Sequence, residues 1–190
     1  MEINFTNFTG TQVDSKLWLC KELEATMLDK TLLKIWILGS SYSLLAQQLL
    51  TRERISISLI RSFDLDKSAV EFSNKFLETW VWKDWSFRAF HLDANKLKFN
   101  ETAFGGEPDL VINANVEKFA SRNWWDNIPS GKLVVLQGRL EDNSDYVFKN
   151  PNLTAIKNEF ALEKVLFEGT KTFTFAQYST TRWMLIGTKY

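Results

Sequence analysis

Apolar residues fall along the chain in short, nearly continuous runs separated by stretches with helical spacing, the pattern of buried parallel strands alternating with covering helices. Residues 14–30 place Leu19, Leu23 and Met27 four apart with Cys20 beside them and Asp14 or Ser15 as an N-cap, which predicts a helix. KIWILGS (34–40) is an apolar run ended by small residues and reads as a strand buried on both faces. Leu44, Leu45, Leu49 and Leu50 then form one stripe of a helix that starts directly after the turn. ISISLIRSF (55–63) is rich in β-branched residues and predicts a second strand, with a helix after Asp66.

Further strands are expected at 85–93, 108–114 and 132–138, with a helix or loop at 116–125 and a helix at 153–164. From Val165 onward, two β-rich runs joined by Tyr178 to Thr181 predict a closing antiparallel hairpin. The expected architecture is α/β, a Rossmann-like three-layer sandwich with a mostly parallel sheet, in one domain over 1–190: a helical extension at 1–31 and the core at 32–190.

The chemistry-bearing residues fall where these strands end, which is where open α/β sheets bind ligands. Gly39-Ser40-Ser41-Tyr42-Ser43 lies between strand and helix, either as a small-residue cradle for a ligand or as a plain N-capped turn. Asp64 follows the second strand 25 residues beyond Gly39, near the spacing at which adenosine-binding sheets present an acid to the ribose hydroxyls. It is preferred to Asp66, which suits the next helix cap. Asp93, at the end of the third strand, either accepts from an adenine amine or caps a helix, and Leu65 and Ala94 are the neighbours that would pack on the ring.

After the fourth strand come Asn113, Asn115 and Glu117, polar side chains suited to orienting or deprotonating a ligand, or to capping the following helix. His91, the one histidine, is read as packed or surface-exposed, because no second histidine exists to build a metal site. Trp124, Trp125, Tyr178, Arg182 and Trp183 are expected to supply an aromatic and cationic wall over the crevice, with core packing the alternative for the tryptophans.

Composition narrows this picture. Lys plus Arg equals Asp plus Glu at 23 each, so no global field favours a nucleic-acid backbone. The single cysteine excludes internal disulfides and cysteine-zinc clusters, and Cys20 is expected to be a buried helical thiol. The N-terminus lacks a signal-like apolar segment and no apolar run reaches a membrane span, so a cytoplasmic protein is expected. Eight Trp and fifteen Phe exceed ordinary usage and are expected to fill the core and line a pocket.

Taken together, WILGSSYSLLAQQL, FDLDKSAVEFSNKF, HLDANKL, PDLVINANVE and the terminal hairpin resemble a class I S-adenosylmethionine-dependent methyltransferase from about Lys34 onward. The chain is also similar to small methyltransferase-like proteins of phage and environmental sequences, through SKLWL, RSFDLD and the LVVLQ segment. The resemblance implies a seven-stranded sheet whose last strand is antiparallel, S-adenosylmethionine as cofactor, and methyl transfer to an acceptor, either a small molecule or an exposed polymer group. It implies cofactor contacts from Gly39, Ser40, Ser41, Tyr42, Asp64, Leu65, Asp93, Ala94 and Asn113, catalytic roles for Asn115 and Glu117, and Tyr42 projecting toward the methionine part. The family's turn carries two or three glycines where this chain has Gly39 followed by Ser, Ser, Tyr and Ser. That departure leaves a non-catalytic Rossmann-like binding or assembly module as the alternative, with a nicotinamide-dependent oxidoreductase disfavoured by the hairpin and the absent Gly-x-Gly-x-x-Gly.

Overall fold

The computed structural model describes residues 10–27, 33–82, 86–141, 152–175 and 178–190. Its centre is a seven-stranded sheet of β1 (Leu33–Leu38), β2 (Ile57–Asp64), β3 (Phe87–His91), β4 (Leu110–Asn113), β5 (Leu133–Arg139), β6 (Leu162–Thr174) and β7 (Ser179–Lys189). The order across the sheet is β3-β2-β1-β4-β5-β7-β6, with β1 to β5 parallel and β7 antiparallel to both of its neighbours. The order reverses between β1 and β4, so the crevice of a doubly wound sheet opens there, beyond the carboxyl ends of the strands.

Strands β1, β4 and β5 are apolar throughout because each is covered on both sides. Alternate residues feed two cores. Ile35, Ile37, Leu110 and Ile112 pack with Leu19 and Leu23 of α1 (Thr11–Thr26), Leu45 and Leu49 of α2 (Leu44–Leu50), and Val70 of α3 (Lys67–Phe76). The neighbouring α4 (Glu78–Trp82) lends Trp80 and Val81 to the same side. On the opposite face Trp36, Leu38, Val111 and Val134 meet short elements only: 3-10 turns at 94–96, 102–104 and 116–118, α5 (Asn123–Asp126) and α6 (Leu153–Glu159).

That asymmetry explains the aromatic surplus. Where no long helix covers the sheet, large rings do the covering: Trp36, Phe63, Phe99 and Phe104 form one group of ring contacts, and Trp124, Trp125, Phe160 and Trp183 a second. Gly138 is part of that packing, because a Cβ there would come within 2.7 Å of the Trp183 ring on the paired strand.

The elements expected from the pattern are present, with shifted limits. The first helix starts at Thr11 after Gly10 and ends at Met27, so Asp14 and Ser15 lie inside it rather than at its cap. The segment 116–125 is a 3-10 turn and a four-residue helix rather than one element, and the helix after Asn152 stops at Glu159. The hairpin turns before Ser179, so Ser179 to Thr181 belong to β7. The antiparallel member is β7 alone; β6 regains the direction of the parallel strands.

Candidate active site

A cavity of about 470 Å³ lies over the carboxyl ends of β1 to β4 and under α1, a size ordinary for a small-molecule site of about 300–1,000 Å³. Its floor is the turn after β1. Gly39, Ser41 and Ser43 all have positive φ, at 62°, 48° and 56°. Alternate residues therefore take the left-handed conformation that glycine adopts without strain, and two of the three are serines. The path of a glycine-rich turn survives although most of its glycines do not. At Gly39 a side chain is excluded a second way, since a Cβ would sit 2.9 Å from the Phe119 ring.

Asp64 ends β2 and faces the cavity. Its Oδ2 accepts from the Ser41 amide at 2.7 Å and its Oδ1 from the Asp66 amide at 2.9 Å, so the carboxylate is fixed between two loops. Each oxygen retains acceptor capacity for a further donor. Asp66 caps α3 by accepting from the Ser68 and Ala69 amides, and its carboxyl is held below the usual range by the Ser68 hydroxyl first and the Ala69 amide next. The two acids thus divide their work as their positions suggested.

Asp93 lines the same cavity and also caps the turn at 94–96, accepting from the Asn95 amide at 2.9 Å through Oδ1. Leu65 and Ala94 line it as well. His91 is exposed, and its Nε2 lies 2.9 Å from the Leu65 carbonyl, where it steadies the loop that follows Asp64. On the other side of the switch point, Asn115 reaches across to β1, its Nδ2 donating to the Gly39 carbonyl at 3.4 Å.

The structure thus brings Gly39, Ser40, Ser41, Tyr42, Asp64, Leu65, Asp93, Ala94 and Asn115 to one cavity. Asn113 and Glu117 stand behind it. Asn113 is fully buried, with Oδ1 accepting from the Asn115 amide at 3.1 Å. Glu117 is 2% exposed, and its acidity is weakened by burial, against the opposing pull of Arg182. Tyr42 is buried and packs edge-on against Phe72 at 5.2 Å, so its ring is directed toward α3 rather than across the cavity as expected. The expected aromatic wall is also absent: Trp124, Trp125 and Trp183 are core residues, Arg182 is fully buried, and Tyr178 is exposed on the hairpin beside Phe175. Their apolar bulk is needed under the thinly covered face.

Two lining residues escaped the sequence reading. Gln12 and Lys16 of α1 roof the cavity, and Lys16, only 7% exposed, donates to Gln12 Oε1 at 2.8 Å. The available signal was a lysine beside Trp18 and Leu19 on the buried side of a helix, a position where charge is rare. Cys20 is buried with its thiol pushed up to about 12 by desolvation. Among the described residues no cluster of His, Cys, Asp and Glu could hold a metal ion, and no helix is long and apolar enough to cross a membrane.

The strand order, the reversed β7 and a cavity across the tips of β1 to β4 define the fold of class I S-adenosylmethionine-dependent methyltransferases, and solved structures agree. Magnesium protoporphyrin IX methyltransferase from Synechocystis, solved with S-adenosylmethionine bound, superposes with a TM-score of 0.63 at 12% identity, over 98% of this chain and 86% of that one. The YcgJ protein from Bacillus subtilis gives 0.67 at 12% identity, over 93% and 98%. A candidate RNA methyltransferase from Pyrococcus horikoshii gives 0.65 at 16% identity, over 93% and 81%. No family model matches the sequence, and no curated protein matches it significantly.

Proposed function

We propose that the protein binds S-adenosylmethionine across the tips of β1 to β4 and transfers its methyl group to an acceptor that enters between α1 and Asn115. The observation that carries this reading is Asp64: a carboxylate fixed by the Ser41 and Asp66 amides, at the end of β2, facing the cavity beside the β1 turn. In that position its remaining lone pairs suit a pair of ribose hydroxyls. The chain also fits the rest of such a ligand. Asp93 and Ala94 offer an acceptor and an apolar surface to an adenine, Leu65 offers a second apolar surface, and Ser40 Oγ is a buried hydroxyl on the cavity wall with no hydrogen-bond partner.

When bound, the sulfonium supplies a methyl group on an excellent leaving group; the carbon–sulfur bond breaks as the acceptor's lone pair bonds to the methyl carbon, the electron pair stays on sulfur as a neutral thioether, and any acceptor proton passes to water or a base. The residues of this chain then have to hold and align the partners, which is where most of the acceleration of such a displacement arises. The Gly39 turn, kept open by the absence of a side chain at that residue, lets the ligand lie against backbone. Asn115, tied to the Gly39 carbonyl, sits where donor and acceptor would meet, and Asn113 fixes the Asn115 backbone. Glu117, behind this layer, acts through its charge on the cations around it.

Calorimetric titration separates this reading from the competing ones. S-Adenosylmethionine and S-adenosylhomocysteine are expected to bind with micromolar dissociation constants and NAD to give no heat. No binding of either sulfur ligand at millimolar concentration would remove the proposal.

A further inference from the structure

The roof of the cavity carries charge chemistry that the nucleoside-binding end does not use. Lys16 lies on the buried side of α1, and its ammonium has three donors, of which the hydrogen bonds to Gln12 Oε1 and the Gln12 carbonyl occupy two. Arg182 of β7 converges on the same Gln12 Oε1 at 3.5 Å and on the Ala114 carbonyl at 3.4 Å. Arg139 of β5 approaches Glu117 at 4.0 Å, and Lys118 lies exposed at the cavity rim. Four cationic side chains therefore surround one carboxylate, and neither oxygen of Glu117 has a hydrogen bond.

Buried charge is stable when it is paired, and this cluster is short of negative charge. Lys16 registers the shortage: desolvation, then the neighbouring Arg182, push its amine down to about 7, against the opposing pull of Glu117. The remaining cavity-lining acids, Asp64, Asp66 and Asp93, all belong to the opposite end. An incoming anion would balance the cations and keep Lys16 protonated.

We propose that Lys16, oriented by Gln12, is the anchor of a carboxylate-binding subsite under α1, at the end of the cavity opposite Asp93. This deepens the functional reading above and rests on it. Two molecules could bring the carboxylate: the cofactor through its amino-acid moiety, or the methyl acceptor.

The test is calorimetry on the full chain and on Lys16→Met, with S-adenosylhomocysteine, which has the carboxylate, and methylthioadenosine, which lacks it, at pH 8 in two buffers of different ionisation enthalpy. If the cofactor supplies the carboxylate, the wild-type protein prefers S-adenosylhomocysteine tenfold or more and takes up a proton on binding it; Lys16→Met abolishes both the preference and the uptake while leaving methylthioadenosine affinity unchanged. If the acceptor supplies it, both nucleosides bind wild type and variant alike, and a panel of acetate, benzoate and phenylacetate shows at least one that binds only the wild-type protein loaded with S-adenosylhomocysteine, with proton uptake. An unchanged preference together with no difference in carboxylate capture would overturn the subsite. Failure of wild-type protein to bind methylthioadenosine would overturn the nucleoside reading and this inference with it. Lys16→Met removes a buried charge and is expected to fold; Lys16→Gln serves as a second variant, and Lys16→Arg is expected to restore carboxylate binding in part without the proton uptake.

Discussion

The two ends of the cavity are built by opposite means. At the nucleoside end, each acid sits at or just past a strand terminus and is held by amides close by: Asp64 by its own loop and the facing turn, Asp66 and Asp93 by residues two or three further on. At the roof, Lys16 and Gln12 of α1 meet Arg182, Arg139 and Glu117 from three other segments, and Gln137 of β5 donates to the Ser15 carbonyl of α1 at 3.0 Å, 122 residues away in sequence. One end is made of local turns on strand tips. The other exists only once α1 docks across the sheet.

The difference teaches where function resists local damage. Nucleoside contacts should be lost one residue at a time, with the fold intact, whereas the roof should respond to anything that shifts α1. Asp64→Ala is the largest single blow: it removes a charged partner for two hydroxyls, and hydrogen bonds to a charged group are worth about 1.5–3 kcal/mol each. A loss of S-adenosylhomocysteine affinity of about 2 kcal/mol or more, roughly 30-fold, is expected by calorimetry. A change under threefold would detach Asp64 from the ligand.

Lys16→Met probes the roof through stability. The native amine titrates at about 7 and an ordinary lysine at 10.5, so between those values the unfolded chain holds more protons than the native one. Stability therefore rises with pH across that window, and the rise is expected to flatten in Lys16→Met when denaturant midpoints are compared at pH 7 and pH 9. An equally steep rise in the variant would assign the slope to other groups.

Smaller effects are expected at the turn. A left-handed non-glycine residue costs about 1–2 kcal/mol, partly offset by the extra unfolded-state freedom of glycine, about 0.5–1 kcal/mol. Ser41→Gly and Ser43→Gly are each expected to raise stability by a few tenths to about 1 kcal/mol in thermal melts, with nucleoside binding retained. Destabilisation by both would mean that the serine hydroxyls matter more than the backbone strain. His91→Ala, exposed and tied only to the Leu65 carbonyl among the hydrogen bonds described, is expected to change S-adenosylhomocysteine affinity by less than about 0.5 kcal/mol.

The same contrast explains what was legible in the sequence. Strand tips with their acids were readable because an apolar run, a small-residue turn and a following acid are neighbours in the chain, and the resemblance rested on those neighbours. Lys16 was not readable, because its burial is set by β5, β7 and the 3-10 turn at 116–118. Nor was the fate of the aromatic residues, since a tryptophan that roofs a cavity and one that replaces a missing helix look alike in sequence. Trp124, Trp125 and Trp183 proved to be the second kind. The positive φ at Ser41 and Ser43 was equally hidden, because nothing about a serine announces the conformation it is made to adopt.

The most direct test of the central claim is a crystal structure of the protein grown with S-adenosylhomocysteine. The account predicts the ribose hydroxyls within hydrogen-bond distance of Asp64, the adenine between Leu65 and Ala94 near Asp93, and the thioether over Gly39; a ligand bound away from the tips of β1 to β4, or a ribose turned from Asp64, would contradict it.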